Sequence, residues 1–392
     1  MRLAYLSQGK LFLKDGVGDP VQIQSAFGQE VINRSLRLHE RQAWKTEGRG
    51  GMFQGAMLWG KSNLDPTALH VQILAVTRGQ GPGELTYALQ SDNVGGLFTY
   101  SLADQFETRH FHKNDFRTQD LDRHAEDGMV ACSVMLRTGT ANIGVTDRDG
   151  RSVRPVTEGD SVDLAPSWVP GPGKRLLYQS AGVGRDASGA IAGLGPFSIE
   201  ELDLATGRLQ TIRHAPDTDF VQPRQDAAGN LYCIRRPYQG PGARHASAKT
   251  ILLDIVLFPY RLLRAVFHFL NTFSMFFSGR PLTRAGGPSR LPGPEVRQLM
   301  VWGRWVEVEQ TARQARPNES PPALVPDSWE LVRSGPDGSE RVLARGVVAY
   351  DLAADGAVLY TNGRAVFRLA PDGQRDLVCR DTVIERVAVL GN

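Results

Sequence analysis

Short runs of alternating apolar and polar residues recur along most of this chain, separated by Gly, Pro and Asp. Period-two alternation predicts strands with one buried face, and the intervening DRDG, LATG, PDGS, AADG and PDGQ predict tight turns. The clearest stretch reads SVDLAPSWVPGPGKRLLYQS and then, beyond a glycine-rich loop, SIEELDLATGRLQTIRH. It predicts strands near Val162 to Ser167, Arg175 to Ser180, Ser198 to Leu204 and Leu209 to Arg213.

Degenerate copies of this four-strand unit flank it. GMVACSVML, ANIGVTDRDG and SVRPVTEG supply the second to fourth strands of the preceding copy, and GAVLYTNG, AVFRLAPDG and QRDLVCR do so near the C-terminus. A repeat of about 40 residues with four strands is the pattern of propeller blades. MRLAYLSQGKLFLKDGVGDPVQIQS matches VLYTNGRAVFRLAPDGQRDLVCR in spacing, so the chain begins at the second strand of a blade. TVIERVAVLGN, residues 382–392, is the missing first strand at the other end, and pairing it with the N-terminal strand removes two exposed sheet edges.

The prediction is therefore an all-β chain, a six-bladed β-propeller in one domain over 1–392. Its blades span 382–392 with 1–25, then 69–114, 115–158, 159–215, 216–344 and 345–381. Two stretches do not fit. Residues 26–68 are an insertion between the first two blades, and residues 237–327 interrupt the fifth blade between its second and third strands. Within the second insertion, TARQARPNESPPALVPDS reads as an exposed return linker.

The unit resembles the repeat of the TolB-type, WD-repeat-like family of six-bladed propellers, an apolar strand, a P-x-W-x-P-D-G-like turn and a further apolar strand. Pro166, Ser167, Trp168, Val169, Pro170 and Gly173 carry the resemblance, followed by Leu176 to Ser180; Gly171 and Pro172 depart from it, where the family has one acidic residue. The resemblance extends over most of the chain for fold and covers neither insertion. It implies a surface that binds other proteins more than a catalyst.

One segment breaks the strand pattern. ILLDIVLFPYRLLRAVFHFLNTFSMFF, residues 251–277, holds six of the sixteen phenylalanines. At helical spacing Thr250, Asp254, Leu257, Arg261, Arg264, His268, Asn271 and Thr272 fall on one stripe, with apolar side chains over the remaining surface. Burial of a large apolar side chain is worth roughly 1.5–3 kcal/mol, so this face requires a membrane, a partner or a second copy. Both ends return to one blade, which excludes a single crossing, and about 40 Å of helix is too short for a hairpin through a bilayer core. Asp254, Arg261 and Arg264 would each cost roughly 2.5–3.5 kcal/mol near the bilayer centre. A helix in the plane of the interface, kinked at Pro259, satisfies both constraints.

Charge sharpens this picture. The formal net charge is +3, yet residues 235–297 carry ten Arg or Lys against Asp254 and Glu295, so the local balance is about +8 and the remainder is near −5. Basic residues beside an amphipathic helix attract anionic lipid. The expected membrane contacts are Phe258, Phe267, Phe269, Phe273, Phe276 and Phe277 for insertion, with Arg261, Arg264, Arg280 and Arg284 for headgroups.

Other signals are weaker. Arg34, Arg37, Arg41 and Lys45 share a face of a predicted helix, either a partner surface or a solvated face. His110 and His112 alternate on a strand and so share a face; with His124, Asp115, Asp120 and Asp122 nearby they would form a metal site at the propeller mouth, or else are ordinary surface histidines. DRDG at Asp147 to Gly150 is a β-turn rather than a calcium loop. Cys132, Cys233 and Cys379 lie in separate strand-like runs and read as reduced core residues. Met1 leads directly into a strand with no secretory pattern, so an intracellular, cytoplasmic protein is expected.

The sequence reading is a non-enzymatic scaffold on the inner membrane face, with protein partners, no cofactor and no nucleic acid. The alternatives are a metal-dependent hydrolase in the propeller channel around His110 and His112, and a homo-oligomer with 251–277 as its seam.

Overall fold

A computed structural model describes residues 1–47, 71–91, 94–147, 150–240, 298–301, 304–307 and 321–391. Apart from one helix, their regular structure is β. The first sheet has the order β27 (Arg386–Gly391), β1 (Arg2–Ser7), β2 (Lys10–Asp15), β3 (Val21–Ile23), and is followed by α1 (Ala26–Glu47). The second runs β4 (Val71–Arg78), β5 (Glu84–Ser91), β6 (Val94–Ser101), β7 (Phe106–Asn114).

A nine-stranded sheet comes next. Its first half comprises β8 (Thr118–Arg123), β9 (Val130–Met135), β10 (Ala141–Thr146) and β11 (Val153–Pro155). The other comprises β12 (Ser161–Trp168), β13 (Arg175–Arg185), β15 (Ser198–Asp203) and β16 (Leu209–Arg213), with β14 (Ile191–Leu194) paired to the far end of β13. A single parallel bridge, Ala141 to Val162, joins the halves. Two more four-stranded sheets follow. One has β17 (Thr218–Gln225), β18 (Leu231–Pro237), β21 (Glu330–Ser334) and β22 (Glu340–Arg345); the other has β23 (Ala349–Leu352), β24 (Val358–Thr361), β25 (Ala365–Leu369) and β26 (Arg375–Arg380). The hairpin of β19 (Gln298–Val301) and β20 (Arg304–Glu307) forms its own two-stranded sheet.

The termini pair as their spacing predicts. β27 lies antiparallel to β1 with Leu3 opposite Val389 and Tyr5 opposite Val387, so each covers an edge that the other would leave exposed. Alternation then places one face of each strand against the next sheet. Leu6, Leu85 and Tyr87 join the first sheet to the second, and Leu97, Phe116 and Cys132 join the second to β8 and β9. The series continues through Ile143 with Tyr178, Ile199 with Cys233, and Ile234 with Tyr350. Leu3, Tyr5, Leu359 and Val366 return it from the last sheet to the first.

Aspartates and glycines close the hairpins. Asp147 Oδ1 accepts Arg151 N at 2.7 Å, and Gly150 N donates to Asp147 O at 3.1 Å with Gly150 at φ 70°. Such a turn requires a carboxylate that mimics a backbone acceptor and a residue without Cβ in the left-handed region. Asp186 repeats the device with Ser188 N and Ala190 N. The hydroxyls of Ser152 and Ser188 lead the interactions that hold the two carboxyls below their ordinary pKa.

One expectation for the long insertion needs correction. Ala323, Leu324 and Val325 belong to the core, with 4%, 2% and 1% exposure, although ALVP reads as part of an exposed linker. Leu324 N donates to Asn362 O at 2.8 Å, and Asn362 Nδ2 donates to Pro321 O at 2.9 Å, which fixes this run against the β24–β25 turn. A three-residue apolar patch between prolines has no periodicity, so its burial depends wholly on the neighbouring sheet. The hairpin β19–β20 lies in the same insertion, in a stretch for which no element is expected.

Candidate binding sites

Five sheet-bordering strands converge on a small cavity of about 30 Å³, enough for about one water molecule. β4, β8, β12, β17 and β27 supply its wall. Four of them bulge at this level, near Ile73/Ala75, Thr118/Leu121, Leu164/Ser167 and Val221/Arg224. A bulge re-aims side chains that regular alternation would send elsewhere. In β12 and β17 it is built from Ala165 at φ 51° and Gln222 at φ 53°, each followed by proline. Left-handed geometry is unfavourable for both residues. At Gln222 it is held from two sides, because Gln222 N donates to Gln179 Oε1 at 2.8 Å and Gln222 Nε2 donates to Tyr350 O at 2.8 Å.

Charges around this cavity are matched between sheets. Arg386 Nη2 lies 3.3 Å from Asp120 Oδ1, and Arg224 Nη1 lies 3.4 Å from Asp122 Oδ1 and 3.3 Å from Asp351 Oδ1. The remaining carboxylate oxygens bind backbone. Asp120 Oδ2 accepts Ala165 N at 3.2 Å, Asp122 Oδ2 accepts Trp168 N at 2.8 Å, and Asp351 Oδ2 accepts Val389 N at 2.8 Å. Burial pushes the Asp122 carboxyl up, against the pull of Arg224 and Trp168 N. These contacts tie strands from different sheets together, as buried charges do when paired and hydrogen-bonded.

The helix α1 forms a second concavity. Ser25 Oγ caps it by accepting Gly28 N at 3.0 Å. Phe27 anchors its first turn on β6 and β7, with its ring 5.2 Å from Phe98 and 5.0 Å from His112, while Arg109 Cζ sits 5.4 Å over the ring. A cleft of about 250 Å³ runs between this turn and the sheet, bordered by Val31, Arg34, Leu89, Arg109 and His112. Arg34 is exposed and pairs with Glu30 at 2.8 Å, one helical turn away. Arg37 Nε donates to Asn33 O at 3.4 Å. Arg41 and Lys45 also fall on α1, but their side chains lie outside the described residues.

The histidine reading is corrected in two respects. β7 is the end strand of its sheet, in the order β4–β5–β6–β7, so its histidines are three strands removed from the cavity-bordering β4. They do not share a face either, because β7 bulges where Leu97 faces Phe111 and Phe98 faces Arg109. His110 turns to Thr99, with Nε2 at 2.7 Å from Oγ1, whereas His112 turns to Phe27. One extra residue in a strand reverses the alternation beyond it. His124 Nδ1 lies 2.8 Å from Asp127 Oδ1, and Asp115 pairs with Arg137 at 2.5 Å, so neither joins Asp120 and Asp122.

Phe258, Arg261, Arg264, Phe267, Phe269, Phe273, Phe276, Phe277, Arg280 and Arg284 lie outside the described residues. Cys132, Cys233 and Cys379 are buried and unpaired, as expected, and burial pushes their thiols up to about 12, 12 and 11. Among the described residues, no helix is long and apolar enough to cross a membrane. Sequence reasoning missed Arg224, Asp351 and Arg386. Their only local signal is the A-P and Q-P dipeptide interrupting two strands, which marks a bulge but not the charge opposite it.

No family model matches the chain, and no curated protein matches it. Among solved structures, TolB from Acinetobacter baumannii is similar over 100% of this chain and 67% of its own, with TM-score 0.52 and 10% identity. A chain of a nidogen/laminin complex is similar over 100% of this chain and 99% of its own, with TM-score 0.49 and 9% identity. The tricorn protease is similar over 99% of this chain and 34% of its own, with TM-score 0.44 and 10% identity. At such identity the likeness to TolB is one of fold, and the chain has a TolB-like β-propeller fold.

Proposed function

We propose that this protein is a propeller scaffold that binds other proteins and is held on a membrane surface by residues 251–277. The scaffold half rests on the fold, because a propeller offers broad faces built from many loops. The observation that carries the membrane half is where the amphipathic segment is inserted. β18 and β21 are neighbours, with Arg235 opposite Glu330 in the register, and Arg235 Nη2 bonds Glu330 Oε2 at 2.5 Å. The long excursion between them leaves and re-enters one sheet, which is compatible with an in-plane helix and not with a single crossing. This reading treats the two halves of the nine-stranded sheet as separate blades, for six in all with the excursion in the fifth. The inner, cytoplasmic face is the side this reading assigns.

Liposome flotation of the full chain tests it. Binding is expected to rise with anionic lipid and to weaken with salt, since the Debye length falls to roughly 10 Å at 0.1 M. Phe269→Ser, Phe273→Ser and Phe276→Ser together are expected to abolish flotation without altering the oligomeric state. If they instead dissolve an oligomer, and the unsubstituted chain never floats, the segment is an assembly seam.

A further inference from the structure

A cavity of about 300 Å³ lies between β5–β7 of the second sheet and β8–β10 of the nine-stranded sheet. Its distinguishing feature is Arg123, which is 7% exposed. Arg123 Nη1 donates to Gly128 O at 2.9 Å, and Nη2 donates to Thr86 Oγ1 at 3.1 Å. Its Nε is buried without a hydrogen-bond partner. Among the described residues no carboxylate stands within ion-pairing distance of this guanidinium, and both of its acceptors are neutral. The half-buried Arg224 and Arg386 each meet an aspartate. Glu84, elsewhere in the wall, favours the charge of Arg123 from beyond ion-pairing distance; a guanidinium withdrawn from water with no anion in direct contact is stabilised when one joins it.

The rest of the wall suits a hydroxylated anion. Thr99 Oγ1 stands 3.2 Å from Thr86 Oγ1 and 2.7 Å from His110 Nε2. Thr146 Oγ1 already accepts Val130 N at 2.9 Å, which leaves its own proton to donate. Glu84 borders the same space, with one oxygen accepting Gly81 N at 2.8 Å. A carboxylate in the wall can accept from a ligand hydroxyl and repels a second negative charge. The space is kept open by two glycines with positive φ: a Cβ at Gly128 would meet Arg123 Nη1 at 3.0 Å, and one at Gly150 would meet His110 Nδ1 at 3.0 Å.

We propose that this inter-sheet cavity binds a small polyhydroxylated monocarboxylate of sugar-acid size, with its carboxylate on Arg123 and its hydroxyls among Thr86, Thr99, Thr146 and Glu84. The guanidinium supplies the charge-assisted contact, and the ring of hydroxyls, each both donor and acceptor, supplies selectivity for hydroxyl groups over alkyl chains. The site is independent of the membrane segment, so its occupancy does not bear on flotation.

Isothermal titration of the full chain with D-glucuronate, D-glucose and propionate tests the assignment. Saturable glucuronate binding is expected, with glucose and propionate weaker by about tenfold or more, the scale of one lost charge-assisted contact. Arg123→Gln is expected to reduce glucuronate affinity by about tenfold or more, and Thr99→Val by severalfold. Thr99→Val keeps the test valid should Arg123→Gln not fold. Absence of saturable glucuronate binding, glucose binding as tightly as glucuronate, or an unchanged affinity in a folded variant each overturns the proposal.

Discussion

Arg236 and Arg123 are both withdrawn from solvent, at 2% and 7% exposure, yet their surroundings differ. Arg236 Nε lies 3.1 Å from Asp219 Oδ2, and its guanidinium stacks 4.5 Å above the Trp329 ring. Arg236 is the penultimate residue of β18 and Trp329 precedes β21, so the pair fastens the two ends of the long excursion to each other. Asp219 also accepts Phe197 N at 2.9 Å, which couples this clamp to the preceding sheet. Arg123 has hydroxyl and carbonyl acceptors but no carboxylate in ion-pairing distance, and it faces a cavity rather than a ring. The contrast separates a charge paired in direct contact within the chain from one whose nearest favourable charge, Glu84, stands off across a cavity.

The largest expected effect breaks the first member of this pair. Asp219→Ala removes the carboxylate that pairs with buried Arg236 and accepts Phe197 N, and is expected to cost about 3–5 kcal/mol of stability in urea unfolding. The reciprocal change sharpens the second member. In the absence of added ligand, Arg123→Met replaces a costly buried charge with a side chain of similar length, and is expected to alter stability by about 1 kcal/mol or less. A loss as large as that of Asp219→Ala would mean that Arg123 is neutralised within the chain after all.

The smallest effect concerns the turn that carries Gly128. Burial works against ionisation of Asp127, but Lys174, Met129 N and His124 together hold its carboxyl at about 2. Its folded value therefore lies below the unfolded value of about 3.9. The stability it contributes is fully present above the unfolded value and is lost as pH falls through the folded one. Asp127→Asn is expected to make the decline in urea midpoint between about pH 4 and 2 shallower. It is not expected to flatten the decline, because Asp147, Asp186 and other turn carboxyls are also held low. An unchanged slope would show that this turn is not held by the ion pair.

Much of the β scaffold was legible from local pattern. The four strands expected near Val162, Arg175, Ser198 and Leu209 appear as β12, β13, β15 and β16, and the stripe at Arg34 and Arg37 falls on α1. The candidate sites were much less legible. Unbroken alternation places His110 and His112 on one face, and a single bulge in β7 parts them. The prolines around Leu324 and Val325 suggest a linker, whereas both are buried, Val325 in the core cluster that Tyr350 and Val358 share.

What the sequence determined by itself was set by interactions of short range: period-two alternation for strands, Asp and Gly for hairpin turns, and an orphan strand at each terminus whose exposed edge demanded a partner. Tertiary structure alone decided which charges meet. Asp120 and Arg386 are 266 positions apart, Asp122 and Arg224 are 102 apart, and no local preference relates either pair. It also left Arg123 without a carboxylate in ion-pairing distance, since its neighbourhood is assembled from two sheets whose facing side chains are brought together only when their apolar faces pack.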